Sequence, residues 1–278
     1  MANAPLQYSL AHLTALGCPP SELTYIAARA GYDFVSLRPA GLGTPGEKAF
    51  MLSEDKQLMQ ETKRALADTG LKLMDVELAR ILADRTPEFY LPIMEVAAEL
   101  GGTRVLSSAW HNDKNFCIDF YAKLCELAKG FNLTVDFEFV TWSTVRTLAE
   151  AMELLRAAKQ DNCGIMVDTL HFYRSRVKLE EIDDIPAEWV HFVHLCDGPV
   201  EIPSLDDTEA LLHTGRAERL YPGEGGVPIA DIVNRLPQVP LSIELPHLER
   251  AREFGYAEHA TRCIEYARAY FAKHPRTN

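Results

Sequence analysis

No stretch of about 18 consecutive apolar residues occurs in this chain, so no transmembrane helix is expected. Basic residues are outnumbered: 28 Lys and Arg stand against 40 Asp and Glu, a formal net charge of −12. That argues against a nucleic-acid binder, which needs a basic footprint to displace counterions. It also argues against an anionic membrane surface as a partner. An anionic small substrate stays open, because a pocket can differ from the surface around it. The six cysteines, Cys18, Cys117, Cys125, Cys163, Cys196 and Cys263, include no CxxC pair and match neither a zinc knuckle nor a small disulfide scaffold. Reduced, mostly buried thiols are expected. The opening residues, "MANAPLQYSLAHL", lack a basic region followed by an apolar run, so no secretory leader is expected and a cytoplasmic location is the default. No linker or low-complexity segment divides the chain, which is therefore read as one domain over residues 1–278.

What the chain does contain is a repeated pattern. Hydrophobic residues make up 47 % and charged residues 24 %, enough for a substantial core. Eight short apolar runs read as strands: 7–13, 33–39, 71–78, 103–110, 133–140, 164–172, 190–196 and 240–246. Helical patterns separate them. "SELTYIAARAG" stops at Gly31, and "SEDKQLMQETKRALADTG" opens on a serine cap and ends at Gly70. "TPEFYLPIMEVAAELGG" holds Pro92 near its first turns. "NFCIDFYAKLCELAKG", "TVRTLAEAMELLRAAKQ" and "YAEHATRCIEYARAYFAKH" show 3.6-residue periodicity, while "LEEIDDI" and "IADIVNRL" read as short helices. Alternation of this kind implies parallel strands joined by crossover helices. Eight units point to a closed (β/α)8 TIM barrel, an α/β fold of one domain. The competing open doubly wound sheet loses its dinucleotide version, because no GxGxxG follows the first strand. The longest irregular stretch, 198–227, reads as a loop of functional length.

In such a barrel the active site lies at the C-terminal ends of the strands. The fifth strand carries Glu138 there. The sixth carries Asp168 and then His171, the seventh His194 and then Asp197, and the eighth Glu244 and then His247. Singly, each has a plainer reading. A lone acid is usually solvated, a lone histidine is more often a hydrogen-bonded spacer than a ligand, and Asp197-Gly198 reads as the start of a turn. Together they come from consecutive strands about 4.8 Å apart and can converge on one point. Three acids and an imidazole in a dry barrel mouth would shift their pKa values or need a cation. Such a donor set suits Mn²⁺, Mg²⁺, Co²⁺ or Zn²⁺.

With "DFEFV", "MVDTLHF", "HFVHLCDG" and "SIELPH" in this order, the chain resembles the sugar phosphate isomerase/epimerase family, the xylose-isomerase-like barrels. Ketose 3-epimerases, inosose dehydratases and hydroxypyruvate isomerases are among its members. The resemblance implies one divalent metal held by Glu138, Asp168, His194 and Glu244. It also implies that His171 contacts the substrate and that Arg219, in "RLYPGEGGVP", faces it. Trp110 and His247 join them as expected substrate-binding residues. The chain departs from its relatives at Ser36, where many carry a glutamate, and at Arg38, Glu77 and Arg80, which leaves the substrate open. The two arginines would suit a carboxylate or phosphate, or stand as surface or salt-bridge residues.

The implied chemistry is isomerisation or epimerisation of a sugar or related keto-polyol. Glu138 and Glu244 would exchange a proton, with His171 assisting at a substrate oxygen. Elimination by the same parts would make the protein a dehydratase of an inosose or hydroxy-keto acid. An inactive barrel that binds a small molecule is the alternative of another class. A DNA-repair endonuclease is opposed by the charge and by too few strand-end ligands, and a purely structural module would hold no metal. Pairing of barrels through outer helices makes a homo-oligomer possible.

Overall fold

The computed structural model describes residues 5–43 and 47–277; the start of the segment read as lacking a leader, residues 1–4, lies outside them. Among the described residues eight parallel strands close on themselves: β1 (Tyr8–Leu10), β2 (Phe34–Leu37), β3 (Lys72–Ile81), β4 (Arg104–Ala109), β5 (Thr134–Glu138), β6 (Cys163–Asp168), β7 (Val193–Leu195) and β8 (Leu241–Ile243). Closure is made where β1 pairs β8, with Ser9 opposite Ser242. The TIM barrel expected from the alternation is the observed fold.

The helices follow local signals. Helix α1 (Pro20–Ala30) ends at Gly31, whose φ of 84° lets its N–H reach the Ala27 and Ala28 carbonyls. Helix α2 (Lys56–Thr69) is capped by Asp55, not by the serine expected two residues earlier, because the Asp55 side chain accepts from Leu58 N–H. Pro92 lies in the first turn of α3 (Leu91–Glu99), where its missing N–H leaves no bond unmade. Helix α4 spans Lys114–Lys129, and α5 (Leu148–Ala158) starts at a Thr147–Glu150 capping box, four residues later than the periodicity predicts. The "LEEIDDI" segment is a short 3-10 helix over Leu179–Asp184.

Two expectations are corrected. Strand β6 stops at Asp168 rather than running on to residue 172, because the Asp168 carboxylate accepts from Leu170 and His171 N–H and starts helix α6 (Thr169–Arg174). The stretch 198–227 is not an irregular loop. It contains helix α7 (Thr208–Ala217), capped by Asp207 and buried through Leu211, Thr214, Gly215 and Ala217. Helices α8 (Ile229–Arg235) and α9 (Leu248–Lys273) complete the shell.

The main core lies between strands and helices. A smaller cluster of Met74, Leu106, Met166 and Phe192, with Phe34 and Leu78 against it, stands apart from that core. All six cysteines are free and buried, as expected. No described helix is long and apolar enough to cross a membrane.

Candidate active site

Four consecutive strands aim one polar side chain each at the same volume. Glu138 ends β5, Asp168 ends β6, His194 is the middle residue of β7, and Glu244 follows β8. Their donor atoms all lie within 4.8 Å of one another, and all four residues are buried. His194 Nδ1 is 3.5 Å from Glu244 Oε2 and 4.0 Å from both Glu138 Oε1 and Asp168 Oδ2. Neither ring nitrogen of His194 completes a hydrogen bond. Buried imidazoles are ordinarily satisfied, so three carboxylates around an unbonded imidazole form a donor set that fits a divalent cation.

Arg219 lies against this cluster. Its Nη1 is 2.6 Å from Asp168 Oδ2, its Nη2 is 2.8 Å from Glu244 Oε2, and its Nε–H donates to the Gly215 carbonyl at 2.9 Å. The side chain is almost wholly buried, and two of the three acids are its partners. Glu138 has no Lys or Arg partner among the described residues.

The electrostatics separate the two glutamates. Burial, then repulsion from Glu244, pushes the Glu138 carboxyl well above the ordinary range against the pull of His194. Burial also acts upward on Glu244, but His194 and Arg219 outweigh it and hold that carboxyl below the ordinary range. Burial acts downward on His194, yet Glu244, Glu138 and Glu77 raise it to about 10.

His171 is set by its helix and by Thr141. The Thr141 backbone N–H donates to His171 Nδ1 at 3.3 Å, and Thr141 Oγ1 is 3.0 Å from the same atom. A backbone N–H can only donate, so Nδ1 accepts and the proton of the neutral ring sits on Nε2. That nitrogen is 3.9 Å from Glu138 Oε1. Burial lowers the His171 pKa to about 4, which keeps the ring neutral. Trp142 packs edge-on against it at 4.7 Å.

The pocket above the cluster is lined by Trp110, Trp142, Leu13, Leu42, Ser108 and His171, together with charged groups from β2, β3 and α7. Trp110 is therefore in the pocket, its Nε1–H donating to Ser108. His247 is not: it caps α9 and lines a neighbouring groove with Leu16, Leu248 and Tyr256. Arg38 is a buried salt-bridge residue, 3.0 Å from Glu77 and 3.5 Å from Glu47. Arg80 is half-buried and donates to the Leu42 carbonyl at 2.6 Å. A register shift in β3 between Val76 and Ala79 accompanies the presentation of Glu77 at the pocket wall.

Sequence reasoning missed two features. Arg216, in the last turn of α7, lines the pocket; the Asp207 cap was the signal for that helix. Asp197 does more than open a turn. Its buried carboxylate accepts from the N–H groups of Gly198, Gly223, Gly225 and Val227 at 2.8–3.0 Å, tying both ends of the long β7 connection together.

Comparison with known proteins agrees with this fold. Residues 25–269 match the xylose isomerase-like TIM barrel family, and the chain belongs to it. A 3-dehydroshikimate dehydratase of Pseudomonas aeruginosa is 27 % identical over 81 % of this chain, which covers 35 % of that relative's length. An inosose isomerase of Halalkalibacterium halodurans is 24 % identical over 44 % of this chain and 42 % of its own length. The solved structure of the IolI protein with a bound zinc atom superposes with a TM-score of 0.77 at 17 % identity, covering 97 % of this chain and 99 % of that one. The chain thus spans only about a third to two fifths of the curated relatives it matches.

Proposed function

We propose that this chain is a divalent-metal-dependent enzyme that moves a proton on a carbon next to a carbonyl, as an isomerase or epimerase of a sugar or related polyhydroxy-ketone. The observation that carries this reading is the buried convergence of Glu138, Asp168, His194 and Glu244 with both His194 nitrogens unbonded. Those four residues would hold a divalent cation, which would supply Lewis acidity toward a substrate oxygen next to the reacting C–H. Glu138 takes that proton. Burial and repulsion from Glu244 raise its pKa, which suits a carboxylate that takes a proton and gives it back. Glu244, held ionised, is the second carboxylate at the reacting carbon. His171 donates its Nε2–H to a substrate oxygen, and Thr141 fixes the ring for that task. Trp110 and Trp142 wall the pocket against water.

A second reading, a dehydratase, is favoured by one observation: the dehydratase relative matches 81 % of this chain, against 44 % for the inosose isomerase. Glu138 would again take the carbon-bound proton. The adjacent C–O bond would then break, with Glu138 returning that proton to the departing hydroxyl so that water leaves, while the neutral His171 keeps its Nε2–H as a hydrogen-bond donor to a substrate oxygen. The test is incubation of enzyme supplied with Mn²⁺, Mg²⁺, Co²⁺ or Zn²⁺ with ketoses, inososes and hydroxy-keto acids in deuterated water. Deuterium entering a substrate carbon supports proton transfer. A rearranged product then indicates the isomerase, an unsaturated one the dehydratase. No exchange with any metal overturns both and favours a barrel that only binds.

A further inference from the structure

In the pocket the acids of the cluster are matched by His194 and Arg219. At the wall stand three more guanidinium groups, Arg38, Arg80 and Arg216. Arg38 is matched by Glu77 and Glu47. Glu47 is held by Arg38 and by the Leu42 N–H at 2.9 Å, and its charge also acts on Arg80 and Arg216. Arg80 donates to the Leu42 carbonyl and forms no ion pair among the described residues. Arg216 makes no ion pair and no hydrogen bond among the described residues. Of the other half-buried arginines, Arg235 and Arg250 have carboxylate partners at 2.7 Å, while Arg146 donates to the Ser143 and Leu205 carbonyls. Position in the last turn of α7 favours a cation at residue 216 through the helix dipole, but does not require its side chain to line the pocket. Burial, then mutual repulsion among these guanidinium groups, lowers the pKa of Arg216.

We propose that Arg80 and Arg216 form an oxyanion subsite in the wall of the pocket that Glu138 and Glu244 of the four-residue cluster also line, and that the substrate carries a carboxylate or phosphate group there. The planar forks of two arginines from different elements can grip such a group with several charge-assisted hydrogen bonds. Leu13, Leu42 and Trp110 line the same pocket and would face the substrate's carbon frame. The substrate class becomes a small hydroxy-carbonyl compound with one anionic end. This rests on the reading of the cluster as the reacting end, but it is testable apart from it.

The experiment is calorimetric titration of the whole chain with D-gluconate, inorganic phosphate and uncharged D-fructose, with metal content measured on the same samples. The wild-type protein should bind at least one anion saturably. Arg216→Gln and Arg80→Gln should each weaken that binding about tenfold or more while thermal unfolding and metal content stay unchanged. Gluconate selects a carboxylate end, phosphate a phosphorylated one. Absence of saturable anion binding, or unchanged binding in both variants, overturns the subsite. Intact anion binding in a protein that takes up no metal leaves the subsite standing and removes the proposed chemistry instead.

Discussion

The Arg219 guanidinium lies 2.6 Å from the Asp168 carboxylate, and its other nitrogen reaches Glu244, so one side chain links the ends of β6 and β8. Both acids are buried. Arg219→Ala leaves two charges without their partner inside the barrel mouth. Breaking a buried ion pair in this way costs about 3–5 kcal/mol. Urea unfolding should show that loss, and Arg219→Lys should recover only part of it because an ammonium cannot span both carboxylates. A change below about 0.5 kcal/mol for Arg219→Ala, the range of ordinary surface substitutions, would remove this linking role.

The His171 assignment is a matter of which nitrogen carries the proton. His171→Asn should lower kcat by about 10²-fold or more, the range of one general acid–base group, and leave metal content untouched. Thr141→Val removes the hydroxyl but not the backbone N–H, so its effect should be smaller. Equal losses in the two variants would show that the hydroxyl, not the backbone N–H, sets the tautomer.

Gly215 lets α7 approach the ring of Trp142: a Cβ there would meet that ring at 2.2 Å. Trp142 in turn packs on His171. Gly215→Ala should therefore displace the indole and reduce kcat, seen together with a shift in tryptophan fluorescence. Wild-type emission with wild-type kcat would show that α7 shifts away instead.

The connection after β7 should resist proteolysis. Asp197 holds four backbone N–H groups across it, and α7 packs within it. Asp197→Ala exposes those donors, and each buried donor left unsatisfied costs about 1–3 kcal/mol. Limited proteolysis should cut between residues 198 and 227 far faster in the variant than in the wild type. Similar rates would mean that the segment is held by α7 alone.

Much of the fold was legible because the strands are continuous apolar runs between capped helices. Gly31 and Pro92 behave as their chemistry dictates. The four strand-end residues were legible only as a set, because they fall near the ends of consecutive strands and converge there. What stayed hidden depends on contacts distant in sequence. Asp168 both caps α6 and pairs with Arg219, which no local pattern records. His247 follows Glu244 by three residues, as His171 follows Asp168, yet it caps a helix outside the pocket. Asp197 looks like a turn residue until Gly223, Gly225 and Val227 are brought to it. Arg216 was missed because its helix, which contains Gly215, lies within 198–227, a stretch read as an irregular loop.

The most direct test of the central claim is elemental analysis of purified protein supplied with Mn²⁺, Mg²⁺, Co²⁺ and Zn²⁺ in turn, beside Glu138→Gln and His194→Ala. One metal per wild-type chain, falling about tenfold or more in both folded variants, is the predicted result. Stoichiometric metal retained by both variants, or none bound by the wild type, would contradict it.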